Sequence, residues 1–280
     1  MRRLFIGHAV PLLVVAIASS RVAAAEDSKP ESADEKQLAK LALEISRKEA
    51  GLWELELAGE RPKKLKLNAE PVLRWSNPQA GEIYGAVFVW TSDGRPQVVG
   101  SIYKWYSPHK HYSTEFQSFA ETSITGLHEG REMWTPARAG VAYKAVPEAP
   151  LPAETAGGRL RQMREIATGF VATKTDRDGN QLKLRLLTQP IYRYQSAPAA
   201  VVDGGLFTFV EGTDPEVFLL LEARRQSDAI RWEYALTRMN STKFEVSYQE
   251  KPAWSVGVLP WSQVRDRREP YTTFQYQVAE

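Results

Sequence analysis

The feature that most constrains this chain is an internal echo. Gly204–Arg224 (GGLFTFVEGTDPEVFLLLEAR) consists of two apolar runs joined by a short loop holding Gly212, Asp214 and Pro215, the pattern of a buried β-hairpin. At a constant offset of 119 residues, Gly85–Val99 (GAVFVWTSDGRPQVV) repeats the layout without a gap. Identities fall at Lys64/Lys183, Leu65/Leu184, Leu67/Leu186, Pro71/Pro190, Arg74/Arg193, Gly85/Gly204, Phe88/Phe207, Pro96/Pro215 and Val98/Val217, against roughly two expected by chance in such a window. A fixed period of this kind marks one unit used twice.

The flanking segments set the expected class. Asp34–Ala50 places Leu38, Leu41, Ala42 and Ile45 at helical spacing, with Ser32 or Asp34 as caps and Gly51 as the stop. Trp53, Leu55 and Leu57 then alternate with Glu54 and Glu56 as in a half-buried strand. Short strands at Leu65/Leu67 and Val72–Trp75 follow, then the hairpin limbs Ile83–Thr91 and Gln97–Tyr106, and strands at His109–Phe119 and Glu129–Trp134. Prolines at 136, 147, 150 and 152 make Thr135–Glu154 an extended connector. Beyond it Leu160, Met163, Ile166, Ala167 and Phe170 draw a second helix, and turn, strands and hairpin recur in order, with Trp254 and Trp261 expected to pin the tail to the core. The expected fold is therefore α+β, an internal duplication of a helix plus antiparallel β-sheet unit with the two units packed together. Its expected divisions are residues 1–25, 26–33, 34–134, 135–154 and 155–280.

Met1–Ala25 has the marks of an export signal: Arg2 and Arg3, an apolar segment from Leu4 to Ala18, and Ala23-Ala24-Ala25 as a small-residue cleavage site. The apolar run is shorter than the roughly 20 residues a spanning helix needs, so no transmembrane segment is expected in the mature chain. Glu26–Ala33 reads as a flexible lead after cleavage. Removing the signal takes away three arginines and no acid, and the formal charge moves from +2 to −1. A near-neutral chain lacks the basic field of a nucleic-acid binder. There is no cysteine, which excludes disulfides, thiolate metal sites, cysteine nucleophiles and a lipid-modified N-terminal cysteine. The place expected is the periplasm or the extracellular space.

Two constellations could carry chemistry. Alternation puts His109, His111 and Glu115 on one face of a strand, with His128 nearby, and two imidazoles with a carboxylate can form an open zinc site. Arg74 and Arg193 each sit between apolar or aromatic neighbours, Leu73 and Trp75 or Tyr192 and Tyr194. A planar donor fork beside rings suits a carboxylate or phosphate ligand, with Tyr194 as a stacking partner. The bland alternative pairs each arginine with an acid in its own unit. Ser101–Lys104 and Ser107–Lys110 match S-x-x-K but fall in strand or loop, and Asp176–Asn180 has calcium-loop density without the closing glutamate, so it reads as a tight turn. Arg159, Arg161 and Arg164 read as the solvated face of the second helix. There is no G-x-S-x-G, G-x-G-x-x-G, P-loop or H-E-x-x-H motif.

Arg159–Phe170, Leu184–Tyr194 and Gly204–Arg224, together with Trp134-Thr135-Pro136, give a proline connector, an R-L-x-Q-M-R helix and a G-T-D-P-E hairpin in succession. In this the chain resembles an uncharacterised family of secreted bacterial proteins with no assigned activity. The resemblance implies export and a common fold, and it implies no catalytic residue. The preferred reading is a non-enzymatic binding or structural module of the cell envelope or extracellular space, needing no cofactor. Its partner would be a small ligand, a glycan or an envelope protein. The alternative is a metal-dependent hydrolase using His109, His111 and Glu115.

Overall fold

The computed structural model describes residues 32–59, 61–227 and 229–277; the run expected to be an export signal, and the expected lead as far as residue 31, lie outside them. Helix α1 (Ala33–Gly51) starts where Ser32 Oγ accepts from the Glu35 amide at 3.2 Å and Glu35 Oε2 accepts from the Ser32 amide at 2.6 Å, a capping box. After it come β1 (Trp53–Leu57), β2 (Lys63–Lys64), β3 (Lys66–Leu67), β4 (Leu73–Ser76), β5 (Glu82–Ser92), β6 (Arg95–Ser107), β7 (His111–Ser118), β8 (Ile124–His128) and β9 (Arg131–Trp134). Strand β10 (Lys144–Ala145) precedes α2 (Ala156–Thr168), which Thr155 caps through the Gly158 amide. Then follow β11 (Phe170–Thr175), β12 (Gln181–Lys183), β13 (Arg185–Leu186), β14 (Tyr192–Ser196), β15 (Val201–Glu211), β16 (Asp214–Gln226), β17 (Ala229–Arg238), β18 (Lys243–Tyr248) and β19 (Lys251–Val256). A short α3 (Trp261–Val264) and β20 (Tyr271–Gln277) end the described chain.

Four antiparallel sheets result. Two have six strands: β20-β7-β6-β5-β3 with β4 also on β5, and β10-β17-β16-β15-β13 with β14 also on β15. Two have four, β2-β1-β8-β9 and β12-β11-β18-β19. The long strands are apolar on both pleat faces because both faces are covered. One face of the first large sheet gives Phe88, Trp90, Ile102 and Phe116 to a core shared with Ala50 of α1 and Trp53 and Leu55 of β1. Ser46 of α1 donates to the Ile102 carbonyl at 2.9 Å, fixing the helix on β6. The second large sheet packs Phe207, Leu219 and Leu221 against Met163 of α2 and Phe170 of β11. The remaining faces meet each other: Val87, Val89, Val99 and Phe119 interleave with Leu206, Phe218, Leu220 and Ala235. The layer between the two large sheets is thus a third core.

This architecture corrects the α+β expectation. The protein is mostly β, with 51% of the described residues in strands and 15% in helices, and an α+β duplication of a helix-plus-sheet unit does not describe it. Helical periodicity was real at α1 and α2, but helices cover only outer faces, and Phe170, expected at the end of the second helix, opens β11 instead. The first large sheet is closed by the C-terminal strand, since β20 pairs with β7 from Tyr271↔Gln117 to Gln277↔His111. The proline-rich connector supplies β10, paired with Tyr234 and Glu233 of β17. The tail is held by β20 rather than by Trp261, which is 63% exposed with Arg177 over its ring. Among the described residues no helix is long and apolar enough to cross a membrane.

Close approach fixes two glycines. A Cβ on Gly85 would lie 2.3 Å from the Trp75 indole, and one on Gly204 would lie 2.5 Å from the Tyr194 ring. Each aromatic lies over the glycine it opposes across the strand pair. Gly85→Ala is expected to displace Trp75, break its 3.0 Å hydrogen bond to Ser101 Oγ and destabilise by about 1–3 kcal/mol. Thermal unfolding of the variant, read as a fall of several degrees, checks this.

Candidate ligand cleft between the sheets

The inter-sheet layer is not apolar throughout. Glu115 of β7 and Glu216 of β16 point into it from opposite sheets. They do so because residues two apart share a pleat face: Ser113, Glu115, Gln117 on one strand and Asp214, Glu216, Phe218 on the other. The β15–β16 turn is docked on β4, where Thr213 Oγ1 accepts from the Ser76 amide and donates to the Ser76 carbonyl, both at 2.8 Å. That contact carries Asp214 and Glu216 to the mouth of a cleft of about 510 Å³ lined by Trp75, Asn77, Trp105, Glu115, Lys174 and Asp214 among others.

Lys174 of β11 joins the acids. Its Nζ lies 2.7 Å from Glu211 Oε2 and 2.5 Å from Glu216 Oε1, while Glu216 Oε2 is buried without a partner. Glu115 Oε1 accepts from Tyr271 at 3.2 Å and Tyr103 at 3.3 Å. Burial, reinforced by the charge of Glu216, pushes the Glu115 carboxyl up to about 8 against the help of the two tyrosines and Lys174. Burial, then the charge of Glu115 for Asp214 and that of Asp214 for Glu216, holds these two carboxyls well above the ordinary carboxylate range as well. Burial opposes the Lys174 charge, but Glu216 and Glu211 outweigh it and raise the ammonium above its usual value. At neutral pH the group therefore carries fewer than four negative charges on its four carboxyls. It offers protonated carboxyls and an ammonium as donors, carboxyl oxygens as acceptors, and indoles beside them.

The residues singled out from sequence fall elsewhere, with Glu115 as the exception. His109 and His111 lie with ring centroids 5.9 Å apart, beside Trp105 at 5.1 and 6.4 Å. Burial, then His109 and Lys104, lower the His111 pKa. His111 and Glu115 do share a face, but four residues along a strand span about 13 Å, too far for one ion, and the Glu115 carboxyl is taken by tyrosines. Among the described residues no group of three or more His, Cys, Asp and Glu could hold a metal ion. His128 sits 3.1 Å from Glu49 on the far side of the first sheet. Arg193 forms a fork on Asp203, Nε to Oδ1 at 2.9 Å and Nη2 to Oδ2 at 2.7 Å, and also reaches the Ala156 carbonyl. Tyr194 is buried and donates to Glu222 Oε1 at 2.8 Å. Arg74 is exposed beside Lys36 and Lys40 at a small hollow of about 270 Å³. Asp176 spends its carboxylate on the amides of Asp178 and Asn180, closing a turn. Arg159 is buried on Asp203 at 2.9 Å rather than solvated.

Sequence reasoning missed Asp214, Glu216 and Lys174. The signal was present in the hairpin loop, where two acids flank Pro215 at alternate positions just before the apolar run Val217–Leu221. An acid spaced two from another at the edge of a buried run is a candidate for one shared face. No protein-family model matches the chain, and neither the curated proteins nor the solved structures contain a match to it.

Proposed function

We propose that this protein is an exported, non-enzymatic binding module that seats a hydroxyl-rich ligand, a glycan or a small polyol, in the cleft between its two large sheets. The observation that carries the reading is the composition of that cleft: four carboxyls, one lysine and the amides of Asn77, Gln79 and Asn240 beside two indoles and the Tyr103 ring. Sugar hydroxyls are both donors and acceptors, and their C–H faces stack on rings, so a mixed set of neutral acids, carboxylates and aromatics suits them. The run Met1–Ala25 and the resemblance to secreted bacterial proteins support export. Calorimetric titration with neutral oligosaccharides tests the reading. Binding should weaken at least tenfold, about 1.4 kcal/mol, in Trp105→Ala and in Asp214→Asn. Absence of binding across neutral glycans and polyols would end the proposal.

A second reading uses the same groups. A carboxylic acid held neutral near pH 7 is the proton donor that acid-assisted hydrolysis employs, and Glu115 has that character. Release of reducing ends from a bound oligosaccharide, abolished in Glu115→Gln, would favour it over simple binding.

A further inference from the structure

Three arginines are buried among the described residues, Arg95, Arg159 and Arg238. Arg95 is neutralised by Glu222 at 2.8 Å and Arg159 by Asp203 at 2.9 Å. Arg238, at the end of β17 and 7% exposed, pairs with no acid among the described residues. Its Nη2 donates to the Gly257 carbonyl at 2.6 Å, and its Nη1 is buried with no partner. The adjacent Thr237 Oγ1 is also buried and unpartnered. A guanidinium in this position is a desolvated cation with an unmade hydrogen bond, an arrangement that proteins rarely leave open. Burial lowers its pKa only to about 10, so it stays charged at neutral pH. The other charged groups nearby are Arg138 and Glu269, which pair with each other, and the neutral Tyr271 phenol.

Arg238 lines a cavity of about 350 Å³ whose walls include Leu236, Trp254, Val256 and Leu259. We propose that this cavity is a binding site for a small organic monocarboxylate, with an aliphatic or aromatic body against those walls and its carboxylate on Arg238. The planar fork of a guanidinium matches a carboxylate's two oxygens. One charge is matched by one charge, whereas a phosphate dianion would need a second free cation, and Arg138 is occupied by Glu269. Nη1 itself is closed to solvent, so seating the ligand takes a small movement of the cavity wall. The site is separate from the carboxyl cleft, where a negative ligand would meet four acids.

The test titrates the purified full chain with benzoate, hexanoate and inorganic phosphate at constant ionic strength, with sodium chloride as the control. Tm and tryptophan fluorescence are the readouts, Trp254 being in the cavity wall. A carboxylate at a hundredfold excess over its Kd should raise Tm by about 5–10 °C and change the fluorescence. Arg238→Met removes a charge that burial penalises and keeps the length of the side chain, so it should fold and lose both responses. Arg238→Lys keeps the charge without the fork and should bind at least tenfold more weakly. An unchanged response in Arg238→Met, no response to either carboxylate in the wild type, or a stronger response to phosphate would each overturn the proposal.

Discussion

Replacing Arg95 with methionine is expected to destabilise the protein by about 3–5 kcal/mol, the range for removing one partner of a buried ion pair. Arg95 begins β6 and Glu222 lies 127 residues later on β16, so the pair ties one large sheet to the other across the shared core. The guanidinium engages Glu222 through Nε at 2.8 Å and Nη2 at 3.2 Å, and gives Nη1 to Glu121 at 2.9 Å. Glu222 has no exposure at all. Without Arg95 its charge would rest on the hydroxyls of Tyr143 and Tyr194, at 3.2 and 2.8 Å, and on Arg224 at 3.8 Å. Those partners place the loss toward the lower end. In a chain of this size it corresponds to a fall in Tm of roughly 6–15 °C. The double variant Arg95→Met, Glu222→Gln should recover much of the loss, because what destabilises the single variant is an uncompensated carboxylate rather than a missing attraction. A single-variant loss below about 1 kcal/mol would mean that the pair does not join the sheets energetically.

The hairpins were legible because their physics is local. Val, Leu and Phe on both pleat faces around a Gly-containing turn force a strand pair buried on two sides, and β5–β6 and β15–β16 are that. Helix α1 was legible from its apolar spacing and from Ser32 as one of two candidate caps. The class was not, because it depends on how many of the short segments pair, and pairing is non-local. Nothing in YTTFQYQ names β7, more than 150 residues earlier, as the partner of β20. Prolines concealed β10 for a related reason: two residues suffice to pair with β17, and the prolines at 147, 150 and 152 lie just outside them. Counting helical periodicity therefore gave helices a weight that the sheets hold.

The candidate site was legible in one residue only. Glu115 drew notice through its spacing from His111, a correct reading of the strand face, but the charged groups that share its cleft come from β16 and β11. Proximity in sequence proposed imidazoles; packing supplied carboxyls and a lysine. The same limit applies to Arg193, whose fork on Asp203 follows from the β14–β15 pairing rather than from its aromatic neighbours. A pKa is less legible still, since the Glu115 carboxyl has an ordinary sequence context and owes its shift to burial between the sheets.

That shift makes stability depend on pH in an unusual direction. Glu115 has an ordinary value of 4.5 and about 8 in the fold, so the folded state holds a proton that the unfolded chain releases first. Its stabilising contribution is complete below pH 4.5 and is lost as pH rises through about 8. At about 1.36 kcal/mol per pKa unit the full effect approaches 5 kcal/mol, and partial exposure in the cleft reduces it to about 2–3. Asp214 and Glu216, also raised, act in the same direction. The lowered aspartates Asp93 and Asp176 lose their effect only below 3.8, and raised Lys174 only above 10.5, so none of them competes in this window. His111, lowered from 6.5, opposes the trend, and His111→Gln removes that contribution. Tm should therefore be highest near pH 5 and fall by several degrees toward pH 8.5. Glu115→Gln, which keeps an oxygen for Tyr103 and Tyr271 and cannot ionise, should flatten much of that fall and raise Tm most at the alkaline end. A wild-type profile that stays level or climbs from pH 5 to 8.5 would show that water reaches these carboxyls freely. In that case the cleft would present ionised acids around Lys174 and would lack the carboxyl donors on which its match to hydroxyl-rich ligands rests.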